Sequence, residues 1–432
     1  MAIFTISILG FSSQASAQPP KSFIFIGSGY GHGVGLSQYG AKGQALEGRS
    51  AVEILNYYFP EAQVTPVADT ATIVVNVAHQ VSALEIELPP NDFAILANKT
   101  MTSTNLEPQT PLNFEMNGKF ISGPIGQARR WIINWNNPES IILLKRGNTT
   151  MKLNHGFIKL RSVKIPGVGF RIEATNHLRL HDEYLYGIAE VPSSWPSAAL
   201  ESQVIASRTY ALMRMKSIKR ACDCHVYNSK YDQAFVGYSK EGEPRYGKLW
   251  KAAVDATATD ESSGLAITIN QRPVSVFFSS SSGGFTQRPV DVWGTDIAHL
   301  VNVADPWSID PANNKNYASW RKKVSQRKMA KAFGLPDVER YEITARTITK
   351  SVLSITAFSS AGEVKTLSIG TFKSAVKLPS SWFDLPTSPI NIEPEVIEPE
   401  VIEPEVIEPE VVVPEVIEPE VLAPEIGDEP SN

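Results

Sequence analysis

The residue in this sequence best suited to acid–base chemistry is Glu190, in the stretch 184–196. Leu185 and Ile188 precede it, and Val191 follows it directly. A carboxyl group held among apolar side chains has its charged form disfavoured, so its pKa rises. Such an acid keeps its proton near neutral pH and can donate it to a leaving group. The stretch therefore predicts a general acid at Glu190; a solvated loop residue or a helix-capping acid is the alternative.

A helix is predicted directly after this stretch, over residues 197–215. Pro196 suits the first helical turn, where its missing N–H costs nothing. One helical face is formed by residues spaced four, three and four apart, namely Leu200, Val204, Ser207 and Ala211. Gln203 and Arg208 lie near that face. Arg208 either completes the packing or points into a cleft, where it would bind sugar hydroxyls or hold a carboxylate.

Two glycine-containing segments have the composition of ligand-binding loops. Residues 29–41 read Gly-Tyr-Gly-His-Gly-Val-Gly-Leu-Ser-Gln-Tyr-Gly-Ala. Glycine allows the backbone to approach a ligand closely, and the absence of a following Gly-Lys-Ser/Thr excludes a P-loop. Residues 279–286 read Ser-Ser-Ser-Ser-Gly-Gly-Phe-Thr. Their hydroxyl and N–H groups suit sugar hydroxyls and N-acetyl groups, with a flexible polar turn as the alternative.

Together these segments resemble the SpoIID/LytB family, the stage II sporulation protein D and amidase-enhancer proteins of bacterial walls. Residues 190–211 resemble the family's glutamate, its Pro-x-x-Trp-Pro step and a helix of the type A-L-x-A-Q-A-V-A-A-R-T-Y-A. Residues 29–41 resemble G-x-G-H-G-V-G-M-S-Q-Y-G-A, with Leu36 in place of methionine. Residues 279–286 resemble the element S-S-x-G-G-x-T.

The resemblance implies an exported lytic transglycosylase that cleaves peptidoglycan glycan strands, preferentially strands stripped of their peptide stems. It makes Glu190 catalytic and requires no cofactor for the chemistry. The predicted substrate-binding residues are His32, Ser37, Gln38, Trp195, Arg208, Ser280, Ser281, Ser282 and Gly283. For His32 the alternative is a structural hydrogen bond within the glycine loop. The alternative function is a non-catalytic wall-binding enhancer of an N-acetylmuramoyl-L-alanine amidase.

In this mechanism Glu190 protonates the glycosidic oxygen and then accepts a proton from the sugar's own C6 hydroxyl as that hydroxyl attacks C1. The product carries a 1,6-anhydro end, and no separate base is needed to activate water. One carboxyl group can therefore suffice where hydrolases usually use two. Four other acids remain open as a second carboxyl: Glu173, Asp182, Glu183 and Glu201.

Two cysteines and a histidine lie within four residues, as Cys222-Asp223-Cys224-His225. A disulfide across one residue would be strained, whereas two thiolates and an imidazole form part of a zinc site. Family members that bind zinc through Cys and His after this helix favour the metal. The sequence thus predicts a structural zinc site at Cys222, Cys224 and His225, with free thiols as the alternative.

The order of the motifs departs from the family pattern, because the glycine–histidine unit opens this chain instead of closing the domain. The segment that usually precedes it, Phe-Arg-x-x-Leu-x-Leu-x-Ser-x-x-Phe, matches residues 372–383 at the far end. This order predicts a circular permutation, which is tolerated when the original termini lie close together. Residues 27–60 are then expected to pack beside residues 365–384 and to face Glu190.

The predicted fold class is α+β, with helices and antiparallel strands around a catalytic cleft. Strand-like stretches at 72–77, 83–88, 131–135 and 157–160 indicate a β-rich inserted subdomain, a sheet or a small barrel. Trp131 and Trp135 are expected in its core, with sugar stacking as the alternative. The predicted boundaries are a signal peptide at 1–17, the glycine–histidine segment at 18–66, the β-rich subdomain at 67–175, the catalytic core at 176–387 and a disordered tail at 388–432.

Charge and hydropathy favour export and a wall partner. The net charge is −5, but 14 acidic and no basic residues follow position 387, so the preceding part carries +9. A basic body suits an anionic polymer such as wall glycan or teichoic acid. No nucleic-acid motif is recognisable, and the apolar start before Ala15-Ser16-Ala17 reads as a secretory signal rather than a buried strand. The mature chain is predicted to be secreted or in the cell envelope, without a transmembrane anchor. The Ile-Glu-Pro-Glu-Val repeat near the end of the sequence is predicted to be extended.

Overall fold

The computed structural model describes residues 18–89, 93–97, 100–102, 111–135, 137 and 139–384. The predicted signal peptide and the predicted tail lie outside these residues. The described part has an α+β fold, as predicted. Its helices are α1 Gln38–Leu46, α2 Ala51–Tyr58, α3 Ser197–Arg214, α4 Tyr238–Glu241, α5 Gly247–Ala256, α6 Pro289–Trp293, α7 Gln326–Phe333 and α8 Ile369–Val376, with a π-helix at Leu180–Tyr184 and a 3₁₀-helix at Pro306–Ile309.

Two large sheets form the β-rich region. Seven strands occur in the spatial order Val226–Tyr227, Thr72–Val81, Gly169–Arg179, Phe157–Ile165, Arg130–Trp135, Phe93–Ala97 and Thr100–Thr102. Six occur in the order Gly126–Ala128, Phe120–Gly123, Leu112–Asn117, Ala83–Glu87, Ile142–Arg146 and Thr149–Leu153. Neighbours are antiparallel except Val226–Tyr227, which is parallel to Thr72–Val81. The predicted strands are therefore confirmed.

The two tryptophans of this region belong to its core. Trp131 is fully buried, and its indole N–H donates to the Ile121 carbonyl oxygen at 3.1 Å. The indole N–H of Trp135 donates to the Asn154 carbonyl oxygen at 2.9 Å. A buried indole with a satisfied N–H contributes packing and has no free face for a sugar ring. The expectation of core packing is confirmed.

Helix α3 occupies the centre of the predicted catalytic core. It packs against α1, α2, α5 and the strand Ser263–Ile269. The predicted face is buried, and so are the polar residues beside it, Gln203 and Arg208. A helix that is enclosed on nearly all sides must bury polar side chains in internal hydrogen bonds. This burial decides the role of Arg208, as described below.

Smaller sheets connect the remaining segments. The first sheet contains Trp320–Ser325, Ser22–Ser28 and Trp382–Asp384, and the second contains Gln63–Ala68, Ala258–Asp260, Ser263–Ile269 and Arg272–Pro273. The third pairs Leu36–Ser37 with Phe278–Ser279. The fourth contains Arg340–Arg346, Val352–Phe358 and Val364–Ser368. The first sheet joins the two ends of the described chain, since Ser22–Ser28 pairs with Trp382–Asp384. The Gly31 N–H also donates to the Pro379 carbonyl oxygen at 3.0 Å. The predicted packing of the glycine–histidine segment beside residues 365–384 is confirmed, and circular permutation remains a proposal.

Gly40 is required by the close contact between α1 and its neighbours. A Cβ atom there would clash with the Tyr58 hydroxyl and the Asp305 carboxylate. We expect Gly40→Ala to lower the free energy of unfolding by about 1–3 kcal/mol, as overpacking does. The matched control is Gly370→Ala in α8, where a Cβ meets nothing within 4 Å. It should raise stability by about 0.5–1 kcal/mol because alanine is the better helix former. Urea unfolding measures both; equal effects would contradict the packing.

Candidate active site around Glu190

Glu190 is positioned by a short antiparallel pairing of residues 187–190 with residues 234–236. The Ala189 N–H donates to the Ala234 carbonyl oxygen at 2.7 Å, and the Val236 N–H donates to the Gly187 carbonyl oxygen at 2.8 Å. The Ala234 N–H then donates to Glu190 Oε1 at 2.6 Å. These backbone bonds fix the direction of the carboxyl group independently of any substrate. The group is thus held in place rather than free in a loop.

The carboxyl group of Glu190 is half-buried, and burial raises its pKa above the usual range. The Ala234 hydrogen bond and the charge of Lys240 both oppose this rise. Burial is the larger effect, because removing a carboxylate from water disfavours its charged form. The predicted raised pKa is therefore confirmed. A partly exposed carboxyl with a raised pKa can exchange a proton with a bound ligand.

Lys240, in α4, is a member of the site that the sequence did not indicate. Its side chain is buried, and Nζ donates to the carbonyl oxygen of Val191 at 2.6 Å. Nζ also lies 4.6 Å from the ring centroid of Trp250. Burial lowers its pKa to about 8, while the neighbouring charges of Glu243 and Glu190 oppose that shift. A single lysine 50 residues away in sequence carries no local pattern that would reveal this proximity.

His32 binds its own loop. Its Nδ1 accepts the Val34 N–H at 3.0 Å, and its ring donates to the Phe278 carbonyl oxygen. Burial, with the nearby Lys373 charge, lowers its pKa to about 4, so the ring is neutral at pH 7. Both nitrogens are thus engaged within the protein, while the ring keeps partial exposure, so the predicted contact with substrate stays a prediction. The structure shows the alternative, a histidine that ties the glycine loop.

Ser37 and Gln38 are likewise supporting residues, contrary to the prediction. Both are buried. Ser37 Oγ accepts the Gly40 N–H at the start of α1 and the Ser282 N–H, each at 3.3 Å. Gln38 Nε2 donates to Gln203 Oε1 at 3.2 Å. Their polar atoms join the glycine–histidine segment to α3 and to the serine loop, which is the segment 279–286. This explains why a hydroxyl and an amide are needed at these two positions.

The serine loop is also directed inward. Ser281 and Ser282 are 1% and 2% exposed, and Ser282 Oγ donates to the carboxylate of Asp305 at 2.6 Å. Gly283 is buried, and its carbonyl oxygen accepts the Ser28 hydroxyl at 2.8 Å. The substrate-binding role predicted for these three residues is contradicted. Ser280 alone in this group keeps partial exposure.

Asp305 organises this loop, although the sequence did not point to it. It is fully buried and accepts the Tyr58 hydroxyl at 2.9 Å in addition to that of Ser282. Burial raises its pKa, and the surrounding hydroxyl groups counteract the rise. Its hydrogen bonds join residues from three distant parts of the chain. Only the tertiary structure brings these partners together.

Arg208 is fully buried in an internal ion pair and does not line a cleft. Its Nε donates to Asp69 Oδ2 at 2.7 Å, and its Nη1 donates to Thr257 Oγ1 and to the Leu265 carbonyl oxygen, each at 3.0 Å. Asp69 also contacts His181 Nδ1 at 2.6 Å. The predicted contact with substrate is therefore wrong, and the packing alternative holds. Guanidinium groups suit such buried pairs because they offer several donors in a fixed plane.

Trp195, five residues after Glu190 in the chain, is a predicted binding residue that keeps partial exposure. It is half-buried, and its ring centroid lies 5.1 Å from that of Tyr39 in α1. Lys42 Nζ lies 5.7 Å from the Trp195 ring centroid. A partly exposed indole face is a suitable surface for the apolar face of a sugar ring. Of the nine residues predicted to bind substrate, His32, Trp195 and Ser280 are partly exposed, and their contact with substrate remains a prediction.

Cys222 and Cys224 form a disulfide, with their Cα atoms 5.2 Å apart. Asp223 between them has a positive φ of 53°, which lets the backbone turn back, and its carboxylate pairs with Lys159 and Arg161. Cysteine binds a metal as a thiolate, which a disulfide does not offer. His225 Nδ1 is also occupied by the Val74 N–H. The predicted ligand set is contradicted, and no other His, Cys, Asp and Glu cluster in the described residues is arranged to hold a metal.

The other candidate acids have different environments. Glu173 is buried, with Oε2 accepting Asn76 Nδ2 at 2.7 Å and contacting His79 Nδ1 at 2.9 Å. Asp182 pairs with Arg179, and the Glu183 carboxylate accepts the Arg179 N–H. Glu201 in α3 is half-buried, and burial raises its pKa. None of the four has a described hydrogen bond to the 187–190 and 234–236 pairing.

Comparison with known proteins finds a family match that covers the region around Glu190, and several similar proteins. The family described as SpoIID, stage II sporulation protein, matches residues 170–260. Stage II sporulation protein D of Bacillus subtilis (strain 168) is 27% identical over 159 residues, which are 35% of this chain and 45% of that protein. The amidase enhancer of the same strain is 24% identical over 201 residues, 39% of this chain and 26% of the relative. Stage II sporulation protein D of Bacillus amyloliquefaciens is 28% identical over 134 residues, which are 29% of this chain and 38% of that protein. This chain thus spans less than half the length of each relative.

Proposed function

We propose that this chain, whose residues 170–260 match the SpoIID family, is an exported lytic transglycosylase that cleaves peptide-stripped peptidoglycan glycan to 1,6-anhydro-N-acetylmuramic acid ends. The observation that supports this most is the half-buried carboxyl of Glu190, fixed by Ala234 and raised in pKa. Its relatives are named as a sporulation protein and an amidase enhancer, which agrees with a role at the cell wall.

The proposed reaction uses Glu190 twice. As the acid it donates its proton to the glycosidic oxygen, and the bond to C1 of N-acetylmuramic acid breaks. The resulting carboxylate then takes the proton of the C6 hydroxyl, whose oxygen bonds to C1. One residue both gives and takes back the proton, so a single fixed carboxyl is sufficient.

None of the described helices combines the length and apolar character needed to cross a bilayer.

The second candidate function is a wall-binding enhancer that stimulates a partner amidase, as the name of one relative indicates. Product analysis separates the two functions. The purified chain is incubated with peptide-stripped glycan, and the products are examined by mass spectrometry. New ends lighter by one water than hydrolysis products support the transglycosylase. Binding without any new ends supports the enhancer and contradicts the enzyme.

The charge of Lys240 provides a test of the acid role through pH. The rate should fall as pH rises through the pKa of Glu190, because the protonated form is lost. Lys240 stabilises the carboxylate and so lowers that pKa. Replacing it in Lys240→Met should raise the pKa of Glu190 and move the falling limb of the pH–rate profile to higher pH. Cleavage assays across pH check this.

The matched control is Lys251→Met in α5. Lys251 pairs at 3.6 Å with Glu241, and its side chain is 47% exposed. The Lys251→Met variant should leave the falling limb of the pH–rate profile unchanged, because a solvated charge is well screened. A limb that stays in place or moves to lower pH in Lys240→Met would show that Glu190 is not the titrating acid. Thermal unfolding of both variants checks that the fold is kept.

A further inference from the structure

A row of aromatic side chains begins at Trp195, five residues after Glu190, and continues across the surface. This aromatic row consists of Trp195, Tyr39, Tyr317 and Tyr30. Successive ring centroids are 5.1 Å, 6.1 Å and 4.5 Å apart. Tyr30 is 46% exposed, and the other three rings are partly exposed. The rings are therefore accessible to a ligand, and the row begins on the chain segment that carries Glu190.

The segment 313–317 anchors the backbone of the aromatic row. Asn313 Nδ2 donates to the Tyr39 carbonyl oxygen at 2.6 Å. The Tyr317 N–H donates to Asn314 Oδ1 at 3.0 Å, and the Gly29 N–H donates to the Tyr317 carbonyl oxygen at 2.7 Å. These bonds fix the backbone that carries the rings before any ligand binds. A backbone that is already ordered loses little entropy on binding.

Two lysines accompany the row. Lys42 Nζ lies 5.6 Å and 5.7 Å from the ring centroids of Tyr39 and Trp195, and it donates to the Asn313 carbonyl oxygen at 2.9 Å. Lys315, two residues after Asn313, is exposed. Burial first, and then repulsion by Lys315, lowers the pKa of Lys42. Neither lysine has an acidic partner among the described residues.

Two like charges without an acidic partner attract an anion, and an aromatic face beside them attracts the apolar face of a sugar ring. A glycan strand presents both features at N-acetylmuramic acid. Its lactyl carboxyl is a neutral amide while the peptide stem is attached, and it becomes a free carboxylate once an amidase removes the stem. A negative charge at the lactyl position itself, next to the sugar ring, is therefore present only on the stripped strand.

We propose that Lys42 and Lys315, beside the aromatic row, form a subsite for the free lactyl carboxylate of peptide-stripped glycan. The inference rests on the proposed function and adds the residues that select its substrate. A teichoic acid would supply phosphate instead, but it does not account for the row of rings next to the lysines.

The test measures binding without turnover, in the full chain with Glu190→Gln. One probe is amidase-treated glycan, and the other is the same glycan with its carboxylates converted to methylamides. The parent should bind the free carboxylate about tenfold more tightly, as charge-assisted hydrogen bonds predict. Adding Lys42→Gln and Lys315→Gln should abolish this difference. Adding Lys42→Arg and Lys315→Arg should keep it, as should the control Lys365→Gln, which removes an exposed charge elsewhere.

Three results would overturn the subsite. These are equal binding of both glycans by the parent, an unchanged preference in the double glutamine variant, and binding of teichoic acid that the double variant loses while the glycan preference stays. The test also separates the two proposals. A carboxylate preference in a chain whose wild type cuts no glycan keeps the subsite and removes the enzyme. Cleavage of both glycans at one rate keeps the enzyme and removes the subsite.

Discussion

Glycan cleavage is expected to fall by about 10²–10⁴-fold in Glu190→Gln, the range by which a positioned acid accelerates a reaction. Glutamine keeps the oxygen that accepts the Ala234 N–H, so the local backbone should not change. It lacks the proton that the glycosidic oxygen requires. Binding of stripped glycan should therefore persist while the rate of release of anhydro ends collapses. Initial rates with wild-type and variant protein give the ratio directly.

Glu201→Gln is the matched control for this substitution. Glu201 is also a half-buried carboxyl whose pKa is raised by burial, but it lies in α3 without a bond to the 187–190 segment. The Glu201→Gln variant should cleave glycan at a rate within about twofold of the wild-type rate, as expected for a residue outside the reacting centre. Full activity in Glu190→Gln, or equal losses in both variants, would disprove the assignment of the acid.

Stability gives an independent check on the same residue. A carboxyl whose pKa is higher in the folded than in the unfolded chain binds more protons when folded. Its ionisation therefore costs stability as pH rises above the unfolded value. Because the pKa of Glu190 is raised, Glu190→Gln should be more stable than the wild type at neutral pH and equally stable in acid. Urea unfolding at two pH values measures this difference.

Arg208→Met should lower the free energy of unfolding by about 3–5 kcal/mol, the cost of breaking a buried ion pair from one side. Asp69 would keep its charge in the interior, with His181 as its remaining ionisable partner. The substitution retains an apolar stem of similar length, so little of the loss comes from packing. Urea unfolding of the variant and the wild type measures the effect.

Arg214→Met in the same helix provides the control. Arg214 lies 3.7 Å from Asp232, and its side chain is 42% exposed. Exposed ion pairs contribute about 0–1 kcal/mol, so the change should be small. If Arg208 instead faced a cleft, its substitution would weaken glycan binding and leave stability near that of Arg214→Met. That pattern would contradict the buried ion pair.

The sequence was informative where a local pattern determines a local structure. Helical spacing predicted α3, and apolar stretches predicted the strands at 72–77, 83–88, 131–135 and 157–160. The apolar neighbours of Glu190 predicted its raised pKa. The terminal packing followed from the order of the motifs. In each case the physical cause lies within a few residues of the feature or in the arrangement of whole segments.

The direction of polar motif residues could not be predicted in this way. Arg208 is buried because Asp69, 139 residues earlier, supplies its counter-charge, and Ser282 is buried because Asp305 accepts its hydroxyl. A motif shows that these residue types occur together, but it does not show whether they contact a ligand or each other. Lys240 was missed for the same reason, since its contact with Val191 depends on tertiary packing.

The central claim, that Glu190 directs attack by the sugar's own hydroxyl, is tested most directly by cleaving stripped glycan in water enriched in heavy oxygen. Mass spectrometry then reads the new ends. Intramolecular closure predicts ends that carry no heavy oxygen and are lighter by one water, and their formation should depend on Glu190. Ends that take up heavy oxygen would show that water is the nucleophile and would contradict the mechanism.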